Sequence, residues 1–238
     1  MKESLELIKE LREKTGAGVM DCKSALKRTG SLEEAIIYLE SQDKGFKYAK
    51  KEAKEGMVAI HAGETKMSII EVNCETDFAA RSKEFSQCVL QLVQLVQKVD
   101  IASDKEAQKL ISQAISVIGE NIRIRRVETI EGGDMYGAYV HTGGQVGAVV
   151  ALKIVTKIDF ETEIGKNIAM QVVALSPKYL TVKEMIKETS SLVGEKEEND
   201  SVLYNQKYLK DPTKTVGEYL KENGVEVIRF VRYQVSKN

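Results

Sequence analysis

Histidine and cysteine are scarce here: the 238-residue chain has two His and three Cys. Cys22, Cys74 and Cys88 are odd in number and show no CxxC spacing. They therefore read as reduced, partly buried thiols in a reducing, cytoplasmic compartment, and with two histidines they leave little material for a metal site. Charge of one sign is also lacking. Lys and Arg number 35 against 36 Asp and Glu, a net charge of −1. A protein whose main task is gripping nucleic acid carries a clear basic excess, so no direct nucleic-acid partner is expected. Long hydrophobic runs are missing, since no stretch approaches the ~18 apolar residues of a membrane span. The N-terminal MKESLELIKE is charged throughout and has no apolar h-region, so neither a secretory signal nor a membrane partner is expected. Catalytic signatures are missing as well: there is no GxGxxG, GxxxxGK[ST], GxSxG or HExxH. His61 and His141 fall at predicted strand ends without an evident nucleophile beside them, and the carboxylates scatter over predicted helix surfaces. No set of acid, base and nucleophile can be assembled. The expectation is a protein that is not an enzyme, with no catalytic residue, cofactor or metal ligand.

What is present is an ordinary globular composition, 42% hydrophobic and 30% charged, in a chain long enough for one large domain or two unequal ones. Residues 2–14 space Leu5, Ile8 and Leu11 at helical intervals. Thr15-Gly16-Ala17-Gly18 interrupts them, and a second helix is predicted from about Met20 to Arg28, with Ala25 and Leu26 inward and Gly30 as its C′ residue. Ser31 followed by Glu34 is a capping-box pair opening a third helix with Ala35, Ile36 and Leu39. Residues 1–42 thus read as a small three-helix bundle. Residues 43–55 are Lys-rich and read as either a solvated linker or a basic contact surface that could bind RNA.

From Gly56 the period changes. MVAIHAG and KMSIIEVNC predict two strands, residues 79–98 and 104–119 two helices, and IRIRRVETI a third strand. A similar unit follows: two strands in GAYVHTGGQVGAVVALKIV joined at Gly143-Gly144, a helix over 161–175, a short helix at Val182–Lys187, a helix over 213–223 behind Asp211-Pro212, and the alternating closing strand VEVIRFVRYQV. Residues 188–205 lose the pattern and read as a polar, mobile connection. Ile60-His61-Ala62-Gly63 aligns with Val140-His141-Thr142-Gly143, and Thr76-Asp77-Phe78 with Ile158-Asp159-Phe160. That points to an internal duplication, core subdomains 56–131 and 132–238, each an antiparallel sheet with covering helices. The fold class is α+β.

Two segments carry contact chemistry. Val19 and Met20 are apolar residues beside a glycine-rich turn, which reads either as an ordinary interhelical turn or as a contact surface. In Asn73-Cys74-Glu75-Thr76-Asp77-Phe78, at a strand end, Thr76 or Asp77 is a candidate N-cap. Phe78 reads either as core or as an aromatic anchor for a partner.

LREKTGAGVMDCKSAL (11–26) and EVNCETDFAAR (71–81), followed by IGENIRIRRVE (118–128), GAYVHTGGQVGAVVAL (137–152), IAMQVVALSPKYL (168–180) and KDPTKTVGEYL (210–220), resemble the elongation factor Ts family in order and over nearly the whole chain. The resemblance implies a ubiquitin-associated-like N-terminal domain, a linker and a core of two related subdomains. It also implies an activity: binding elongation factor Tu in its GDP-bound and nucleotide-free forms, and acceleration of GDP release. By the same resemblance Arg12, Val19, Met20 and Lys23 touch the GTPase domain, Asp77 and Phe78 intrude near its Mg²⁺ and phosphate site, Ile118 and Gly119 face the partner, and His141 packs against it. His61 inherits no role. The sequence departs from the family at Ala79 (usually Val) and at Val19 (commonly Met). Residues 181–207 are too short and polar for the long helical insertion of many members, and the chain ends at Asn238 without the C-terminal helical module some carry. These departures make a divergent paralogue, binding elongation factor Tu or another complex without promoting exchange, the alternative reading. Homo-oligomerisation is left open.

Overall fold

The computed structural model describes residues 2–15, 17–41, 53–156, 163–189 and 195–236. Most of the Lys-rich stretch and the Ile158-Asp159-Phe160 segment lie outside them.

The first three elements are helices α1 (Lys2–Thr15), α2 (Val19–Thr29) and α3 (Leu32–Ser41). Their buried residues Ile8, Leu11, Cys22, Ala25, Ala35 and Leu39 meet in one cluster, with Leu26 and Ile36 packed against it. The turn after α1 is fixed locally: the Thr15 hydroxyl donates to Leu11 O at 2.6 Å and accepts from Ala17 N–H. Gly30 ends α2 at φ 82°, its N–H returning to Leu26 O. The Ser31 hydroxyl accepts the Glu34 N–H, as the capping pair leads one to expect.

The rest is layered. Strands β1 (Glu55–Ala62) and β2 (Lys66–Cys74) form a hairpin, and helices α4 (Asp77–Ala80), α5 (Lys83–Leu95) and α6 (Lys105–Ile118) lead to β3 (Arg123–Glu131), which pairs antiparallel with β2. Then β4 (Met135–Val140) and β5 (Val146–Ile154) form a second hairpin, in which Gly143 and Gly144 supply positive φ in the turn. Helices α7 (Ile164–Leu175), α8 (Val182–Thr189) and α9 (Glu195–Ser201) follow, with a small two-stranded sheet of β6 (Lys207–Tyr208) and β7 (Asp211–Thr215). Helix α10 (Val216–Glu222) leads into β8 (Val225–Gln234), which pairs antiparallel with β5. The two large sheets therefore have matching orders, β1-β2-β3 and β4-β5-β8. Each has a register shift at the sixth residue of its nine-residue middle strand, between Glu71 and Val72 and between Ala151 and Leu152.

Alternation along the strands divides the core into three. Val58, Ile69 and Ile130 of one sheet meet Val149, Ala151 and Val231 of the other between the sheets. On the outer face of the first sheet, Ile70, Val72 and Cys74 pack under Phe85, Val89 and Leu92 of α5 and Ala114 of α6. On the outer face of the second, Val150 and Leu152 pack under Ile164, Ile168 and Val172 of α7 and Leu220 of α10. The result is a helix–sheet–sheet–helix sandwich of the mixed α+β class. Each fully buried Ile, Leu or Phe contributes roughly 1.5–3 kcal/mol of burial.

Four sequence expectations need correction. The helix expected over 79–98 is two helices, because the Ser82 hydroxyl accepts the Phe85 N–H and restarts the turn after Ala80. The helix expected from 213 begins at Val216, since Thr215 and Glu218 form a full capping box and residues 211–215 are drawn into a strand. The connection expected over 188–205 is ordered across its described end, residues 195–205. There Val202 and Leu203 are fully buried, and Leu203 N–H bonds Tyr179 O. The cysteines, expected partly buried, are all buried.

Candidate partner-binding surface

β2 delivers the chain to its end at Cys74, whose side chain is fully buried. Burial pushes the Cys74 thiol up to about 12, with nearby Glu120 adding to the effect. Two residues on, Thr76 is the N-cap of α4: its Oγ1 accepts the Ala79 N–H at 3.2 Å. Between the two candidates named from sequence, the cap is thus Thr76 and not Asp77. Ala79 turns into the core under α5, so the preceding residue of this single helical turn points away from it. Phe78 is 83% exposed. Asp77 is half-buried and lies 3.5 Å from Arg81, a surface ion pair of little energetic weight.

The tip is held from behind by a residue that sequence reasoning passed over. Gly119 ends α6 at φ 80°, a conformation that costs glycine nothing, and returns its N–H to Ile115 O at 2.8 Å. The reversal brings the Glu120 carboxylate onto the strand end. Its Oε2 accepts the N–H groups of Glu75 (3.1 Å) and Thr76 (3.0 Å), and its Oε1 accepts the Thr76 hydroxyl proton at 2.6 Å. The Glu75 carboxylate accepts the Asn121 N–H in return. These are charge-assisted bonds, stronger than neutral ones. Glu120 therefore fixes the hydroxyl that caps α4, and α4 presents Phe78. An acidic residue directly after a glycine helix stop was the available signal.

Ile118 and Gly119 are thus joined to Asp77 and Phe78 through one network. Ile118 itself packs half-buried against the core beneath α5 and α6. His141 belongs to the β4–β5 hairpin. It is exposed, and its Nδ1 is 3.1 Å from the Tyr139 hydroxyl. That hairpin lies on β1: the Val58 N–H donates to Gly144 O at 2.7 Å, and a β-carbon on Gly144 would come within 2.8 Å of Met57 Cγ. Met57 in turn packs on the cluster holding Ala79 and Ile118. The start of β1 therefore links the His141 hairpin to the α4 tip.

The other four residues sit on the helical bundle. Arg12 of α1 and Val19, Met20 and Lys23 of α2 are all exposed, Met20 at 72%. Burial raises the Cys22 thiol beneath them, while its bond with Thr15 and the Arg12 cation pull it back. Among the described residues no His, Cys, Asp and Glu group could hold a metal ion, and no helix is long and apolar enough to cross a membrane. Two open surface grooves are lined by neither His61 nor His141.

The family model for Elongation factor TS matches residues 75–198 and 192–237. The match begins at Glu75, so it takes in Asp77, Phe78, Ile118, Gly119, Glu120 and His141, and it leaves out the three N-terminal helices. Since it spans well over half of the sequence and the whole of the network around the α4 tip, this chain belongs to the elongation factor Ts family.

Proposed function

We propose that this protein is a guanine nucleotide exchange factor for elongation factor Tu, binding its GDP-loaded form and stabilising its nucleotide-free form. Family membership carries the coarser role, an elongation factor Tu-associated part in translation elongation. The observation that supports exchange itself is the exposed Phe78 beside Asp77 on a tip clamped by Glu120. A large apolar ring held in water on a rigid support costs free energy in the isolated protein and is repaid only on burial in a partner.

The physics of exchange asks for no covalent step. GDP is held through Mg²⁺ and the main-chain cradle around its phosphates. A prong that displaces part of that cradle binds the empty GTPase more tightly than the loaded one, and linkage makes the antagonism reciprocal. A coupling of about 4 kcal/mol is roughly a thousandfold. In this reading residues 1–42 form a ubiquitin-associated-like docking domain, 43–55 a linker, and 56–131 and 132–238 two copies of one unit. The shared strand order and the matching register shifts favour the duplication. Arg12, Val19, Met20 and Lys23 then dock the bundle on the GTPase domain, while Ile118, Gly119 and His141 face the partner from the core.

The test is stopped-flow release of a fluorescent GDP from elongation factor Tu. Asp77→Ala with Phe78→Ala should slow release about tenfold or more while leaving the melting temperature unchanged, because both side chains reach solvent. An unchanged release rate sinks the prong. Binding without acceleration by the native protein assigns it instead to a paralogue that does not promote exchange.

A further inference from the structure

β8 is the last strand of its sheet: β5 pairs with one edge, and no strand among the described residues pairs with the other. Val235 donates to Gln145 O at 2.9 Å. In an antiparallel ladder, residues bonded to the neighbour alternate with residues whose N–H and C=O point away. Counting back along the register, Tyr233 and Val231 face β5, while Gln234, Arg232 and Phe230 face the open edge. Both ends of that edge are occupied. The Gln234 carbonyl accepts from Arg126 Nη2 at 3.0 Å, and past the register shift the Val227 N–H donates to the Tyr204 hydroxyl at 3.0 Å. Between them the main-chain groups of Phe230 and Arg232 have no hydrogen-bond partner among the described residues. They open on a groove of about 350 Å³, lined also by Lys178, Leu180 and Glu184.

Cations outnumber carboxylates in this groove, with Lys178, Arg229 and Arg232 against Glu128 and Glu184. Of its two carboxylates, Glu128 is paired with Arg229 and Glu184 accepts the Leu180 N–H. The Arg232 guanidinium donates to Val173 O and to Gln234 Oε1, both neutral. The exposed Lys178 has no anionic partner among the described residues.

We propose that the open edge of β8 receives an extended acidic segment of a partner protein, added as a further strand on the main-chain groups of Phe230 and Arg232 and matched in charge by Lys178 and Arg232. Strand addition takes its affinity from such main-chain pairs and its selectivity from alternate side chains. A second copy of this chain is the poorer occupant, since its β8 edge carries Arg229 and Arg232 and so brings further cations, not carboxylates, to the groove. A phosphate backbone would suit the cations but leave the alternating N–H and C=O unmet.

The probe is a fluorescein-labelled octapeptide of alternating valine and glutamate, titrated into the full chain. Saturable one-to-one binding is expected, with amide exchange at Phe230 and Arg232 slowed by about tenfold or more. Lys178→Glu, a surface change that should leave melting unaltered, is expected to weaken binding about threefold to fivefold. The same peptide with alternate N-methylated amides, which keeps its charge and loses its strand donors, should not bind. Equal binding of the N-methylated peptide, of a valine–lysine peptide or of a DNA oligonucleotide overturns the proposal. So does the absence of saturable binding, or protection of the two amides that follows protein concentration and not peptide.

Discussion

Glu71 and Ala151 hold the same place in their sheets, immediately before the shift in register of the middle strand. Ala151 is a small apolar residue in the layer between the sheets. Glu71 is a fully buried carboxylate in the corresponding strand. Its Oε2 accepts Arg126 Nε at 2.7 Å, and its Oε1 accepts the Asn73 amide and the Ser236 N–H, with Arg125 at 3.6 Å. Arg126 also lies 4.3 Å over the Tyr233 ring. A strand plan shared by the two sheets thus tolerates a buried charge in one of them because both carboxylate oxygens there find donors. The carboxylate in return ties the last described residue, Ser236, to β2. The hairpins differ in a similar way. The first is closed against the end of α5, where Gln97 Nε2 donates to His61 O and Lys66 Nζ to Gln97 O. The second leaves His141 in solvent. Identical placement of two histidines therefore says little about their roles; what packs on the hairpin decides them.

The strongest way to break the comparison is Glu71→Ala, which makes the first sheet resemble the second at this position but strands Arg126 and the Ser236 N–H. It should cost about 3–5 kcal/mol in urea denaturation. Glu120→Ala acts on the joint that only the first half shows among the described residues. Losing the acceptor for Glu75, Thr76 and the Thr76 hydroxyl should cost about 1–3 kcal/mol and slow GDP release in the stopped-flow assay, although Phe78 itself is untouched. A smaller effect separates the halves by pH. Cys74 and Cys88 both lie in the core of the first sheet, and burial pushes their thiols up to about 12 and about 11. Because the folded values stand above the ordinary value of 9.0, this contribution is complete below about pH 9 and is lost as pH rises toward 11–12. A Cys74→Ala, Cys88→Ala variant, less stable at pH 8, should lose less than the native protein between pH 8 and 10.5 in urea midpoints. Smallest of all, His141→Ala should weaken calorimetric binding to elongation factor Tu a few-fold while His61→Ala leaves it unchanged, both with stability within about 0.5 kcal/mol of native.

Much of the fold could be read from the chain because the signals were local. Period-2 alternation located β3 and β8, the change of period after Gly56 located β1 and β2, and a glycine stop with a Ser–Glu pair marked the junction of α2 and α3. The misses came where one local signal outbid another. Asp211-Pro212 resembles a helix start, yet Thr215 with Glu218 offers the better cap. Ser82 breaks a run of helix formers that reads as continuous. Polar residues 195–201 mask the buried Val202 and Leu203 that follow. At the tip, Thr76 could be named as a cap but its partner could not, because Glu120 lies 44 residues away.

The sequence alone determined most element types, the layer class and the family, since periodicity, capping pairs and ordered motifs act over a few residues. Tertiary structure decided which polar groups are shared across long separations: the Glu120 clamp behind Phe78, the Glu71 carboxylate beneath Ser236, and the unpaired stretch of β8. Those depend on which strand ends and helix ends meet in space, and hydrogen bonds of under about 3.2 Å leave no trace in local spacing.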